Sequence, residues 1–93
     1  SILRQNYTPN YQSVQVVNEA LTTMGTEKFQ KKSKKIAKQL KPITNNMYEL
    51  NTFSNVLFYS NKKEEAIAIA KLNLLLFPDE ANAKKSLENK LSK

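Results

Sequence analysis

Hydrophobic and polar positions along the chain alternate with the period of amphipathic helices. In residues 47–78, apolar residues recur at three- and four-residue spacing, the pattern of a helix that buries one face. The first stripe in this stretch holds Leu50, Phe53, Ser54 and Leu57. Asn61 interrupts the pattern, and a second helix is predicted to start near Lys62 and to end before Pro78. The pattern therefore predicts a helical hairpin over residues 47–78.

The predicted turn of this hairpin carries a helix-start signal. Asn61 and Glu64 have the spacing of a capping box, in which the asparagine accepts from a first-turn amide and the glutamate reaches back. Glu64 and Glu65 also lie at the positive end of the predicted helix dipole. The second helix is apolar on nearly all sides, and its small residues Ala66 and Ala70 allow the first helix to approach closely. Such a helix needs neighbours on several sides.

An earlier segment, residues 8–42, predicts another hairpin. Thr8 followed by Pro9 is a helix-start signal, and Gly25 is expected to close the first helix in a left-handed conformation. A second helix is predicted to begin near Glu27 and to end at Pro42. The residues predicted to be buried are Val14, Val17, Leu21, Met24, Phe29, Ile36, Ala37 and Leu40.

The last predicted helix, within residues 79–92, has one apolar stripe and one polar face. Asp79 is its expected cap. The stripe holds Ala83, Leu87 and Leu91, and the face expected in solvent holds Lys84, Lys85, Glu88 and Lys90. A stack of hairpins needs a terminal helix of this kind to cover its last apolar surface. The predicted fold class is all-α: one domain of antiparallel hairpins, about five helices, with residues 1–7 as a linker.

Residues 47–80 resemble a tetratricopeptide repeat (TPR), a helix-turn-helix unit of 34 residues. The residues at the signature positions are Leu50, Phe53, Ser54, Leu57, Ala66, Ala70 and Pro78. The sequence departs from the signature at Ala70, where an aromatic is usual, and at Asn61, where glycine is usual. Pro42 and Pro78 are 36 residues apart, as are Gly25 and Asn61, so residues 8–42 are interpreted as a degenerate second copy.

The TPR resemblance implies a non-catalytic protein–protein interaction or scaffolding module. In that family, the first helices of successive hairpins line a groove that holds a peptide. The residues that the resemblance places in the groove are Tyr48, Asn51, Asn55, Phe58 and Tyr59. Some members also grip a C-terminal carboxylate with Lys and Asn spaced four apart, and Lys85 and Asn89 have that spacing. The expected partner is a protein or peptide. Alternatively, the apolar helix at residues 62–77 could bind a second copy as a homodimer.

A second resemblance concerns the C-terminal part of the chain. The order of Gly25, Pro42 and then KLNLLLFPDEANAKKSL (residues 71–87) is similar to the helical tails that follow the catalytic domain of some bacterial serine hydrolases and esterases. This resemblance implies a catalytic domain upstream of Ser1, with the present chain as its appended scaffold or dimerisation element. It would place the protein in a bacterial cytoplasm or periplasm.

The charge of the chain is concentrated in one predicted helix. The net charge is +7, and residues 28–41 contain seven lysines and no acid, so the rest of the chain is neutral. The lysines on the face away from the apolar stripe are Lys31, Lys34, Lys35, Lys38 and Lys41. They form either a solvated surface or a docking site for an anionic partner. The absence of arginine from this segment argues against nucleic acid, because Arg makes the bidentate contacts to guanine and phosphate.

Composition narrows the chemistry available to these residues. The chain contains no Cys and no His, so a thiol nucleophile, an imidazole metal site and a Ser-His-Asp triad are excluded within it. Its single glycine, Gly25, cannot form a phosphate-binding loop. We therefore expect no enzyme activity and no cofactor in this chain by itself. The longest apolar run is too short to span a bilayer, which predicts a soluble chain.

Overall fold

The computed structural model describes residues 11–92, and within that range it contains five α-helices and no strand. The helices are α1 (Gln12–Lys31), α2 (Ser33–Leu40), α3 (Met47–Tyr59), α4 (Lys63–Leu76) and α5 (Ala81–Ser92), with a 3₁₀ turn at Lys41–Ile43. The predicted all-α fold class is therefore confirmed. The linker at residues 1–7 and the start signal at Thr8 and Pro9 lie outside the described residues.

Gly25 interrupts α1, as its position in the sequence predicts. Its φ of 83° is positive, but its ψ of 164° is extended rather than left-handed helical. A Cβ atom at this position would meet nothing within 4 Å, so the backbone angle, not the space, favours glycine. Beyond Gly25, helical hydrogen bonds run through Lys32, whose N–H donates to Lys28 O at 3.0 Å and whose carbonyl accepts from Ile36 N at 2.9 Å. Residues 26–40 thus act as one bent helix.

The turn between α3 and α4 closes α3 and does not cap α4. Asn61 has a φ of 66°, and no side-chain hydrogen bond caps the start of α4. Lys62 N–H donates to Leu57 O at 2.9 Å and Asn61 N–H donates to Phe58 O at 3.4 Å. These two bonds form a Schellman motif, in which Asn61 takes the left-handed position usually held by glycine. The predicted capping box of Asn61 and Glu64 is wrong, because Asn61 belongs to the end of the preceding helix.

Helix α4 lies at the centre and packs against α1, α2, α3 and α5. Ala66 and Ser54 are both fully buried, and Ser54 Oγ donates to Ala66 O at 2.7 Å, so α3 and α4 approach closely at these small residues. Within α4, Leu75 is the one apolar side chain that is exposed, at 44%. The core is Val14, Val17, Leu21, Phe29, Ile36, Ala37, Leu40, Leu50, Phe53, Ala68, Ile69, Leu72 and Leu76.

The covered face of α5 is shifted from the predicted stripe: Ala83 and Leu87 are covered as predicted, but Leu91 is not. Leu91 is 54% exposed, whereas Lys90 is 4% exposed. The covered positions are Ala83, Ser86, Leu87 and Lys90. These positions follow the spacing i, i+3, i+4 and i+7, so they share one face of the helix. The expectation that Lys90 is in solvent is wrong, because α5 turns this face towards the polar side chains of α3.

The start of α3 is capped by a side chain. Asn46 Oδ1 accepts from Tyr48 N–H at 2.9 Å. At the start of α5, the first backbone bonds go to the carbonyl of Glu80. In the part of the chain that the structure describes, no helix has the length and hydropathy needed to cross a membrane.

Candidate partner-binding cleft

Helices α3 and α5 are joined by a ladder of side-chain hydrogen bonds. Its first rung joins Asn82 Nδ2 to Tyr48 Oη at 3.2 Å. In the second, Ser86 Oγ donates to Asn51 Oδ1 at 2.7 Å. In the third, Lys90 Nζ donates to Asn55 Oδ1 at 2.7 Å. The partners are separated by 34, 35 and 35 residues along the chain. Residue numbers increase in the same direction on both helices from rung to rung, so α3 and α5 run parallel.

A similar bond joins α1 to α3. Ser13 Oγ donates to Glu49 Oε1 at 2.6 Å, across an interval of 36 residues. Both side chains are buried, and Asn45 N–H also donates to the Glu49 carboxylate at 3.1 Å. The two donors stabilise a carboxylate that would otherwise be costly to bury. This bond therefore ties α1 to the start of α3.

Alongside the ladder, and partly lined by it, α3 and α5 border an open cleft of about 290 Å³, here called the α3–α5 cleft. Helix α3 contributes Asn55, Phe58 and Tyr59. Helix α5 contributes Asn82, Lys85, Ser86, Asn89 and Lys90. Three of the five side chains assigned to a groove from sequence thus line this cleft. The other two, Tyr48 and Asn51, are partners of α5 in the ladder.

Lys90 is the buried cation of the cleft. Its Nζ donates to Asn55 Oδ1 and to Ser86 Oγ, both at 2.7 Å, and lies 5.9 Å from the ring centroid of Phe58. Desolvation by burial lowers the pKa of the Lys90 ammonium from its ordinary value. Ser86 Oγ in turn donates to Asn51 Oδ1, so a chain of hydrogen bonds leads from Lys90 through Ser86 to α3. The network fixes the position of the ammonium.

The aromatic side of the cleft is exposed. Phe58 and Tyr59 meet edge to face, with ring centroids 5.6 Å apart and an interplanar angle of 83°. Tyr59 is 78% exposed. Because tyrosine offers a rigid, amphipathic surface at low entropic cost, this ring suits contact with a partner. The cleft therefore combines an aromatic surface with ammonium, amide and hydroxyl groups.

Two buried polar residues have no counterpart in the sequence interpretation. Glu49 is described above, and the second is Asn73, whose Nδ2 donates to Met47 O at 3.0 Å. Asn73 Oδ1 is buried and has no hydrogen-bond partner within the described residues. Asn73 lies between Leu72 and Leu74 in an otherwise apolar stretch, so its position in the sequence indicates a buried amide. Buried amides are usually hydrogen-bonded, which indicates a polar partner on a neighbouring helix. Asn73 holds α4 against the start of α3.

The predicted basic face lies on the exposed side of α1 and α2. Lys31, Lys34, Lys35, Lys38 and Lys41 are all exposed. None of the five lines the α3–α5 cleft, so the two surfaces are separate.

Comparison of the chain with protein-family models, with curated proteins and with solved structures gave no match. Within residues 11–92, no three side chains of the kinds that ligate metals converge. Functional inference therefore rests on the cleft, the basic face and the packing of the helices.

Proposed function

We propose that the chain is a TPR-like, non-catalytic module that binds a protein or peptide partner in the α3–α5 cleft. The spacing of the cross-helix bonds supports a repeat-like arrangement, since helices α1, α3 and α5 are linked at intervals of 34 to 36 residues. Stacked repeats place equivalent helices side by side and bind partners along the surface that these helices form.

The observation that carries the proposal is the chemistry of the cleft lining. Lys85 and Lys90 supply positive charge, and no acidic side chain lines the cleft. Asn89 is exposed and supplies an amide for a peptide main chain, while Tyr59 supplies flat apolar area. These groups suit a short peptide that presents a carboxylate, because hydrogen bonds between charged groups are about twice as strong as neutral ones.

A library of fluorescent peptides with free C-terminal carboxylates tests this proposal. Binding is measured by fluorescence anisotropy, and the tightest peptide is then compared with its C-terminal amide. We expect Lys85→Ala to weaken binding about tenfold or more, which is the effect of losing one charge-assisted hydrogen bond. The amide comparison shows whether the bound carboxylate is the chain end or a side chain.

Lys84→Ala is the matched control for this experiment. Lys84 and Lys85 are adjacent and both exposed, but only Lys85 lines the cleft. The control variant should bind the peptide as the wild type does. Equal losses in the two variants, or no peptide that binds below about 1 mM, would rule out a peptide site in the cleft.

Two other interpretations are less directly supported. Self-association through α4 is disfavoured because its apolar side chains pack within the chain, apart from Leu75. The link to a hydrolase tail stays a prediction from sequence, since it concerns a domain that would precede Ser1.

A further inference from the structure

A second groove lies between α2, α4 and α5, away from the α3–α5 cleft. It consists of two depressions of about 270 and 300 Å³. The first is lined by Ser33, Lys34, Lys71, Leu74, Leu75 and Leu87. The second is lined by Lys34, Ala37, Lys38, Lys41, Leu75 and Leu76. The two depressions adjoin at Lys34 and Leu75, which line both, and together they are here called the leucine–lysine groove.

The floor of this groove is apolar. Leu75 is 44% exposed, although every other apolar residue of α4 is buried or half-buried. Leu74 and Leu87 flank it and are half-buried. Leaving a leucine in water forgoes a large part of its burial free energy. The exposure of Leu75 therefore marks an apolar surface that a partner could cover.

The rim of the groove is positively charged. Lys34, Lys38 and Lys41 border one side from α2 and the turn after it, and Lys71 of α4 borders the groove as well. No acidic side chain lines either depression. The surrounding segment, residues 28–41, holds seven lysines and no acid. An occupant must therefore combine apolar side chains with negative charge.

The composition of the groove favours one class of anionic partner. A membrane surface is best met by several apolar side chains that protrude together, whereas here Leu75 alone is exposed and Leu74 and Leu87 are half-buried. A nucleic-acid backbone needs cations but gains little from a leucine floor. The lysines from Lys34 to Lys41 span about 10 Å along their helix. Two turns of a partner helix lying alongside cover the same length, so its acidic side chains can be spaced to meet them.

We propose that the leucine–lysine groove binds an acidic amphipathic helix of a partner protein. Apolar side chains of that helix, spaced i, i+3, i+4 and i+7, lie on Leu74, Leu75 and Leu87. Its Asp and Glu side chains flank this stripe and meet Lys34, Lys38 and Lys41. This site shares no residue with the α3–α5 cleft, so it stands independently of the function proposed above.

The probe is a fluorescent peptide of about 14 residues, roughly four helical turns, with Leu at i, i+3, i+4 and i+7 and Glu at flanking positions. A scrambled peptide has the same composition and charge but lacks the helical period. We expect the periodic peptide to bind about tenfold or more tightly than the scrambled one. Its binding should weaken as salt is raised, because the rim contacts are screened. Amide chemical shifts of the wild type should change at Leu74, Leu75 and Leu87.

Lys34→Glu and Lys35→Glu form the matched pair of variants. Both residues are exposed on α2 and both changes alter the net charge equally, but only Lys34 lines the groove. Lys34→Glu should weaken binding about tenfold or more, and Lys35→Glu should have a much smaller effect. Leu75→Asp should abolish measurable binding, with helicity by circular dichroism reporting on its fold. If that variant does not fold, the lysine pair and the wild-type chemical shifts still decide the question.

Several results would overturn the proposal. Equal binding of the periodic and scrambled peptides, or equal losses in the two lysine variants, would reduce the groove to a general cationic surface. So would the absence of saturable binding up to about 1 mM peptide. Binding to phosphatidylserine vesicles but not to the peptide would assign the surface to a membrane, and binding to random duplex DNA alone would assign it to nucleic acid. A homodimer that Leu75→Asp dissociates would assign it to a second copy.

Discussion

At the scale of single residues, Lys90 is the position where local pattern and structure differ most. Its ammonium is buried and keeps two hydrogen bonds, to Asn55 and Ser86, which offset part of the cost of leaving water. Its Nζ lies 5.9 Å from the ring centroid of Phe58, within the range of a cation–π contact. The remaining desolvation lowers the pKa of Lys90. This residue therefore links protein stability to pH.

We predict that the stability difference between the wild type and Lys90→Met changes with pH. Because the pKa of Lys90 is lower in the folded state than its ordinary 10.5, the unfolded chain binds more protons in the window just below 10.5. Stability rises with pH wherever the unfolded state binds more protons. The wild type should therefore gain stability relative to Lys90→Met as pH rises from about 7 to about 10. Urea unfolding followed by circular dichroism measures this difference.

Lys84→Met serves as the control, because it removes an exposed lysine from the same helix and exposes no buried partner. A difference between the wild type and Lys90→Met that stays constant, or that shrinks as pH rises, would contradict a lowered Lys90 pKa.

At the scale of elements, the turn between α3 and α4 shows how one residue can fit two local signals. Asn61 has the sequence spacing of an N-cap for α4, and it also follows α3 at the position where a left-handed residue closes a helix. The backbone adopts the second arrangement, with a φ of 66° and two bonds back to α3. This arrangement provides hydrogen bonds for the carbonyls of Leu57 and Phe58 at the end of α3. Asn61 therefore closes α3 and does not cap α4.

We predict that Asn61→Gly stabilises the protein and that Asn61→Ala destabilises it. The left-handed conformation costs an alanine about 1 kcal/mol and costs glycine nothing comparable. Asn61→Gly should therefore gain a few tenths to about 1 kcal/mol of unfolding free energy, and Asn61→Ala should lose about 1 kcal/mol. Thermal and urea unfolding of the three proteins measure both effects.

An N-cap role for Asn61 would give a different order. Glycine would then cost a few tenths of a kcal/mol relative to asparagine, instead of stabilising the protein. Glu64→Ala provides a second comparison, because it removes the partner that a capping box requires. If both Asn61→Gly and Glu64→Ala clearly destabilise the protein, the capping box forms and the assignment of Asn61 to the end of α3 is wrong.

At the scale of the whole molecule, four helices surround α4. Helices α1, α2, α3 and α5 cover its apolar residues, so most of the hydrophobic surface that the sequence concentrates in α4 is used within one chain. What remains exposed is Leu75, bordered by lysines. Stable dimers bury on the order of 1,000 Å² or more of complementary surface. The floor of Leu74, Leu75 and Leu87 does not supply such a surface for a second copy, because the lysines that border it would face the same lysines of that copy.

We predict that the chain is a monomer of 10.7 kDa in solution. Sedimentation equilibrium between about 50 mM and about 1 M salt measures this, since the range progressively screens the charge of residues 28–41. The mass should be that of a monomer throughout, because the apolar residues of α4 are already covered. A dimer at low salt that persists at about 1 M would instead identify an apolar self-association surface.

The sequence by itself determined the all-α class and several of the helix ends. Gly25, Pro42 and Pro78 mark breaks through their own backbone restrictions, and the stripes of Val14, Val17 and Leu21 follow from the helical period alone. These features depend on residues close together in the chain, so local rules suffice.

Only the tertiary structure decided which face of α5 is covered, which groups bond to Glu49 and to the Asn73 amide nitrogen, and that α3 and α5 border a cleft. Helical period ranks Leu91 above Lys90 for burial, yet Lys90 finds Asn55 across the ladder and Leu91 finds no such neighbour in the core. The partners that Lys90, Ser86 and Glu49 find on other helices lie 35 or 36 residues away. The sequence specifies which groups can hydrogen-bond, but packing around α4 decides which of them meet, because burial of a polar group is stable only where its partner is brought within bonding distance.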